Sequence, residues 1–337
     1  MAEYNVSCFF YTRWVQESQI TQTEFAIVGV LNGLTILPAV VLNALVLISI
    51  WRAPAFHIPA MVLLGNLALS DFAVGIIAQP AILIWSTLEF YVNEWPETYC
   101  RSAVAFGLTS SMFGGVSLLS VTSIAIDRFL ALQLHLRYQT IVNMKRTVYI
   151  CVVIWVISFS ILAIWYFIGI TAYNILTNSF ILACVGIVFF SYFRIYKILR
   201  KHQIQIHAQE MNFSTNSSND SASETTERSL NIKQYKKSVV NSLLVYFTFV
   251  ICCTPCFCAL TYFEITRDSY LSPKLVKIST SLVLVNSGIN PVIYCWKMKE
   301  LRTAVMQTLE SIQDWLGRKK IKTTCERRTS LTTVVEF

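Results

Sequence analysis

Asn290-Pro291-Val292-Ile293-Tyr294 ends one apolar run of this chain, and Asp127-Arg128-Phe129 ends another. A third apolar run contains Asn66-Leu67-Ala68-Leu69-Ser70-Asp71. Each run has the length that crosses a bilayer, and a charged side chain at the centre of such a helix costs about 2.5–3.5 kcal/mol. Charges that persist at this cost are functional candidates, so these three stretches point to the fold and to the site together.

The composition indicates that lipid is the solvent for most of the chain. Of 337 residues, 55% are hydrophobic and only 14% are charged, which is rare in a water-soluble domain. Apolar runs of about 20 residues or more, enough to cross a hydrocarbon core of about 30 Å, recur along the chain. They lie near 26–50, 60–85, 103–126, 147–168, 174–196, 239–262 and 275–296. This pattern predicts an all-α membrane protein, a seven-transmembrane helix bundle within residues 25–296.

The basic residues predict the topology. If the amino terminus is outside, all but five of the 27 Lys and Arg residues lie on the inner side, where such residues are retained. The net charge of +8 follows from this asymmetry, and nothing in the chain favours a nucleic-acid partner. We therefore expect a multi-pass plasma-membrane protein with residues 1–24 outside. The sequon Asn5-Val6-Ser7 then predicts glycosylation of Asn5.

Two segments on the inner side have compositions of their own. Residues 201–232 turn abruptly polar, which predicts a disordered loop between the fifth and sixth spans. Residues 297–316 carry apolar side chains at helical spacing among basic ones, which predicts a short amphipathic helix against the lipids of the inner leaflet. Residues 317–337 form a cytoplasmic tail.

The tail contains a candidate regulatory site. Arg327 and Arg328 precede Ser330 by three and two positions, a spacing that suits a basophilic kinase. Phosphorylation of Ser330 would add about −1.5 to −2 charges and create an anionic patch for an arrestin-like regulator. The alternative is an unmodified tail that its basic residues hold near anionic lipid.

Ten cysteines would suggest a disulfide framework in a small secreted chain, but here most lie within spans or on the inner side. Only Cys8 and Cys100 lie clearly outside, and the sequence leaves open whether they pair. Four others, at positions 252, 253, 256 and 258, lie within one span. No His or carboxylate stands near them at a metal-ligand spacing, so packing is favoured over metal binding.

The order and spacing of these motifs resemble the rhodopsin-like (class A) G-protein-coupled receptors, over nearly the whole chain from Leu42 to about Leu316. The resemblance implies a receptor that signals to a heterotrimeric G protein. Arg128 suits this reading, because it can pair with Asp127 in one state and donate to a partner in another; the alternative is an Arg that only snorkels to the interface. The resemblance implies these coupling and switching residues: Asp127, Arg128, Leu136, Tyr192, Phe249, Pro255, Asn290, Pro291 and Tyr294.

The same resemblance sets Ser117, Asn286, Ser287 and Asn290 around Asp71. One carboxylate with several neutral oxygens is the ligand set that a small hard cation requires. The resemblance thus implies a sodium ion as an allosteric modulator, with no other cofactor. The alternative is a protonated Asp71 that is hydrogen-bonded to the same groups.

The chain also departs from the family pattern. Cys253 stands where the family has a Trp, Cys184 where it has a Pro, and Phe129 where it has a Tyr. The second outer loop is very short and has no cysteine, so the usual outer disulfide of the family cannot form. In these features the chain is similar to the cluster of melanocortin, adenosine, cannabinoid and lysophospholipid receptors.

The residues expected to bind a ligand are mostly apolar. Ser110 stands where aminergic receptors have an Asp, and Leu284 where opsins have the retinal Lys, which argues against both classes. The pocket has few polar groups to orient a ligand, so the ligand, extracellular or lipidic, is not identified by the sequence. The predicted lining residues are Phe106, Ser110, Ser111, Phe180, Cys253, Cys256, Phe257, Leu260 and Thr280.

We therefore predict a G-protein-coupled receptor with an unknown ligand, and no enzyme activity. A constitutively active or scaffolding seven-helix receptor without a small-molecule ligand is the alternative. A seven-span hydrolase is a remote alternative, because its metal ligands would cluster and the four His residues lie at or beyond the inner boundary. A transporter is equally remote, because internal repeats are not evident.

Overall fold

The computed structural model describes residues 21–92, 94–134, 137–168, 170–213, 220–266 and 271–332. Within these ranges seven helices are long and apolar enough to cross a membrane, which confirms the predicted fold class. We call the end of the bundle where helix 1 begins the outer end, following the topology that the basic residues predict. The opposite end is the inner end.

The spanning helices are numbered along the chain. Helix 2 consists of Pro59–Ala73, a π-helical turn at Val74–Ala78, and Gln79–Leu88. A short helix, Tyr138–Ile141, follows helix 3, and helix 8 is Lys299–Thr332. The other spanning helices are Gln22–Arg52 (helix 1), Pro96–Leu134 (helix 3), Met144–Ile168 (helix 4), Ile170–Phe213 (helix 5), Asp220–Thr266 (helix 6) and Leu271–Lys297 (helix 7).

The π-helical turn places helix 2 tightly against helix 1. Pro80 has no backbone N–H for the helical ladder, and the Gln79 N–H bonds to the Val74 carbonyl five residues earlier. A Cβ atom at Gly75 would lie 2.9 Å from Val40 Cγ2 and 3.0 Å from Ala39 Cβ, so only glycine permits this approach. The close packing sets the position of Asp71, one turn before Gly75.

Two large apolar clusters fill the bundle, one above the other, and a third, smaller cluster joins helices 3 and 5 at the inner end. The outer cluster includes Val28, Trp85 and Phe106, and the inner cluster includes Phe249 and Tyr294. Between them lies a layer of buried polar side chains: Asn43, Asp71, Ser117, Asn286, Ser287 and Asn290. Because the apolar clusters close this layer from above and below, polar groups within it must satisfy one another or a bound ion.

The structure differs from the sequence-based prediction in two inner segments. Helix 5 continues to Phe213 and helix 6 begins at Asp220, so the described part of the predicted disordered loop, 201–232, is helical. Helix 8 continues to Thr332, well past the predicted end at residue 316. The end of helix 5 contains Lys, Gln, Glu and Ala, and the end of helix 8 contains Lys and Arg, residues with favourable helix propensities.

Candidate functional site

Asp71 is the centre of the polar layer. Its side chain is fully buried, and Asn290 Nδ2 on helix 7 donates to Asp71 Oδ2 at 2.8 Å. Ser117 Oγ on helix 3 donates to Asp71 Oδ1 at 3.5 Å. Ser117 Oγ also lies 3.0 Å from Ser70 Oγ. One carboxylate therefore joins helices 2, 3 and 7.

Two further buried amides extend the layer to helices 1 and 4. Asn43 Nδ2 donates to the carbonyl of Ser287 at 3.0 Å and to the carbonyl of Ala39 at 2.8 Å. Asn66 Nδ2 donates to Ser120 Oγ at 2.8 Å, and Asn66 Oδ1 accepts from Trp155 Nε1 at 2.9 Å. A shift of helix 7 would therefore disturb bonds that reach helices 1, 2 and 3.

The same layer has unused acceptor oxygens. Asn286 Oδ1 and Asn290 Oδ1 are buried and have no hydrogen-bond partner among the residues that the structure describes. A buried acceptor without a donor costs about 1–3 kcal/mol. Together with the Asp71 carboxylate and Ser117 Oγ, these oxygens are hard ligands that fit a small cation. The five residues predicted to form a sodium site thus lie in one polar layer.

At the inner end, Asp127 is the centre of a second polar group. Its Oδ2 atom pairs with Arg128 Nη2, and its Oδ1 atom accepts from the Tyr138 hydroxyl at 2.6 Å. The Asp127 side chain is only 4% exposed, whereas that of Arg128 is 16% exposed. Tyr138 lies in the short helix after helix 3, so this segment also contacts the Asp127 carboxylate. The sequence did not reveal this contact.

The other predicted switching residues pack around these two groups. Tyr192 packs with Phe129 against the buried residues Leu132, Ile195 and Leu199, which joins helices 3 and 5. Pro255 lies inside helix 6, and Pro291 lies inside helix 7. Phe249 and Tyr294 belong to the inner apolar cluster, as the fold shows. Leu136 lies outside the described residues.

Comparison with known proteins identifies the family. The family model "7 transmembrane receptor (rhodopsin family)" matches residues 42–175 and 169–294. The chain belongs to the rhodopsin family of seven-transmembrane receptors. It is 25% identical to probable G-protein coupled receptor 45 of Mus musculus over 79% of this chain and 78% of that protein. It is 24% identical to adenosine receptor A3 of Ovis aries, over 86% of this chain and 91% of that protein.

Two further likenesses agree with this assignment. Sphingosine 1-phosphate receptor 1 of Danio rerio is 24% identical over 79% of this chain and 74% of that protein. The fold is similar to that of squid rhodopsin, with a TM-score of 0.74, 16% identity and 92% coverage of each chain. This protein is therefore a G-protein-coupled receptor.

The predicted ligand pocket is divided in the structure. Phe106 belongs to the outer apolar cluster, whereas Phe180 and Cys253 pack against the inner one. Ser110 and Ser111 lie one turn after Phe106 on helix 3. On the facing helices, Cys256 Sγ lies 3.6 Å from Thr280 Oγ1, near the half-buried Phe257 and Leu260. The predicted residues thus extend over both clusters.

The structure also reveals a charged cluster that the sequence analysis did not single out. Lys277 Nζ pairs with Glu89 Oε2, and each of these two side chains is 3% exposed. Lys277 Nζ lies 4.2 Å from the centroid of the Trp85 ring. Glu24, 4% exposed, lies within electrostatic range of both charges. The sequence shows charged residues near the outer ends of the apolar runs. It does not show that these residues face one another.

The outer cysteine has a partner. Cys100 is disulfide-bonded. The cysteines of the helix 6 cluster, 252, 253, 256 and 258, are free. The sequence left open whether Cys100 pairs with Cys8, and Cys8 lies outside the described residues.

Proposed function

We propose that this receptor lies in the plasma membrane with its amino terminus outside and passes an extracellular or intramembrane signal to a heterotrimeric G protein. The asymmetry of the basic residues supports this orientation. Glycosylation of Asn5, which lies outside the described residues, belongs to the same proposal. The chain acts as a receptor without enzymatic chemistry, and transmits the signal through the packing of its helices.

The G protein is proposed to bind at the inner end, around Arg128. The observation that carries this proposal is the arrangement Tyr138–Asp127–Arg128, in which a buried carboxylate restrains a partly exposed guanidinium. Release of Arg128 would supply a charge-assisted donor for the partner. Leu136, Tyr192 and Tyr294 would complete the contact, with the basic positions 233, 236 and 237 at the inner part of helix 6.

The polar layer is proposed to bind sodium and to favour the inactive state. Asp71, Ser117, Asn286, Ser287 and Asn290 would hold the ion, and it would satisfy the unused amide oxygens. A cation that binds one arrangement of helices 2, 3 and 7 more tightly must shift the population toward it. Because Asn43 bonds to the backbone of Ser287, a change in this layer is transmitted to helix 1.

The sodium proposal predicts a specific loss in Asp71→Asn. For the wild type, replacing choline by sodium at constant ionic strength should raise the free energy of unfolding by about 1.4 kcal/mol when sodium is ten times its Kd. Basal nucleotide exchange on a purified G protein should fall in parallel. Both responses should be absent in Asp71→Asn, because the only carboxylate of the site is gone.

The matched control is Asp127→Asn, which removes another buried carboxylate but leaves the polar layer intact. Its stability should still respond to sodium. A sodium response that persists in Asp71→Asn would place the ion elsewhere. Equal responses to sodium and choline in the wild type would support the alternative, a protonated Asp71 held by its hydrogen bonds.

An arrestin-like regulator is proposed to bind the tail after phosphorylation at Ser330. Replacing Thr329, Ser330, Thr332 and Thr333 by Ala should abolish stimulated phosphate incorporation in the tail and slow internalisation, because the anionic patch cannot form. A variant with Ala at the hydroxyl residues between Ser214 and Ser229 is the control. If internalisation is slowed in the control variant and not in the tail variant, the inner loop is the regulatory site.

A further inference from the structure

Glu24 is a buried carboxylate at the outer end, close to the charges of Glu89 and Lys277. Lys277 is already paired with Glu89, yet Glu24 is a second buried carboxylate in the same group. Its Oε2 atom is buried and has no hydrogen-bond partner among the residues that the structure describes. Lys277 and Lys274 both act electrostatically on Glu24. A buried carboxylate oxygen without a donor calls for a cationic partner.

The surroundings of Lys277 show which cation this cluster accommodates. Its ammonium group contacts a carboxylate and lies over the face of Trp85, an arrangement that favours a desolvated ammonium. Trp85 stacks on Phe106 with ring centroids 5.5 Å apart, so the cluster borders a residue predicted to line the ligand pocket. The sequence had left that pocket without a polar anchor. This cluster supplies one.

We propose that Glu24 binds the ammonium group of an amine ligand, with Glu89, Lys277 and Trp85 as its neighbours and the ligand's apolar part directed toward Phe106. The proposal rests on the topology given under Proposed function. Residues 21–23 are exposed beside Glu24, so the site is close to the outer surface. An anionic ligand is disfavoured, because Lys277 is already paired and Glu24 would repel a third negative charge.

Three probes of the same shape and different charge test this inference: 4-phenylbutylammonium, 4-phenylbutanol and 4-phenylbutanoate. The measurement is the thermal stability of the purified receptor against probe concentration, which requires no G protein. The ammonium should stabilise the wild type most. In Glu24→Gln its apparent affinity should fall at least about tenfold, because a hydrogen bond to a charged group is lost. The alcohol should be unaffected by the substitution.

The control is Glu97→Gln, which removes an exposed outer carboxylate that pairs with Arg101, and it should bind the ammonium like the wild type. Equal stabilisation by the alcohol, or stronger stabilisation by the carboxylate, would overturn the proposal, as would no stabilisation by any probe. So would an unchanged affinity in Glu24→Gln. If that variant does not fold, Glu24→Asp, which withdraws the charge by one methylene, should weaken binding instead.

The sodium response separates this inference from the proposed function. Glu24→Gln should keep the stabilisation by sodium at Asp71, which shows that its bundle is intact. If the receptor binds the ammonium probe but fails to activate a G protein, the amine site is supported and the proposed coupling is refuted.

Discussion

Arg128→Ala is expected to reduce G-protein activation to background while the receptor still folds and reaches the membrane. The Asp127 carboxylate loses its ionic partner, but the Tyr138 hydroxyl still donates to it at 2.6 Å, so the buried carboxylate keeps a donor. The G protein, in contrast, loses a charge-assisted donor, which is worth about tenfold to a hundredfold in binding. The measurement is nucleotide exchange on a purified heterotrimeric G protein at equal receptor concentration.

The ion pair of Asp127 with Arg128 is tested by a variant that should raise activity instead of lowering it. Asp127→Asn should raise basal activity about tenfold or more, because the ion pair that favours the resting arrangement is lost. Tyr138→Phe should raise it less, since the pair of Asp127 with Arg128 remains. Arg146→Ala removes an exposed inner Arg that donates to the Ile141 carbonyl, and is the control. If Arg128→Ala and Asp127→Asn both signal like the wild type, the assignment of this motif is wrong.

The second large effect concerns stability and is expected in Lys277→Met. Removing the ammonium leaves Glu89 buried without its ionic partner, and breaking a buried ion pair in this way costs about 3–5 kcal/mol. The favourable contact of the ammonium with the Trp85 ring is lost as well. Thermal denaturation of the purified receptor should show a marked fall in Tm. Glu89→Gln should show a similar fall in Tm, because it leaves the buried Lys277 ammonium without its ionic partner.

A double-mutant cycle separates the pair from general damage. Lys277→Met combined with Glu89→Gln should be more stable than the sum of the single effects predicts, because neither member of the pair is then left as a charge without its partner. The exposed pair of Arg101 and Glu97, with side chains 79% and 72% exposed, is the control. Breaking that pair should cost only about 0.3–0.5 kcal/mol. Strict additivity at Lys277 and Glu89 would show that the ion pair contributes little.

The sequence by itself determined the fold and the polar layer. Seven apolar runs of spanning length leave the backbone no alternative to helices, because every peptide group in lipid must bond within its own segment. Asp71 was identifiable because a carboxylate within such a run is costly, and Asn290 and Ser117 were placed beside it by the family motifs. The structure brings Asp71, Asn290 and Ser117 together at hydrogen-bonding distance.

Only the tertiary structure decided which distant charges meet. Glu89 and Lys277 are 188 positions apart, and no local pattern relates them; they meet because the turn after helix 2 packs against helix 7. The contact of Tyr138 with Asp127 depends likewise on how the segment after helix 3 folds back. Helical periodicity determines which residues share a face of one helix, whereas the pairing of faces is set by packing, here including the π-helical turn beside Gly75.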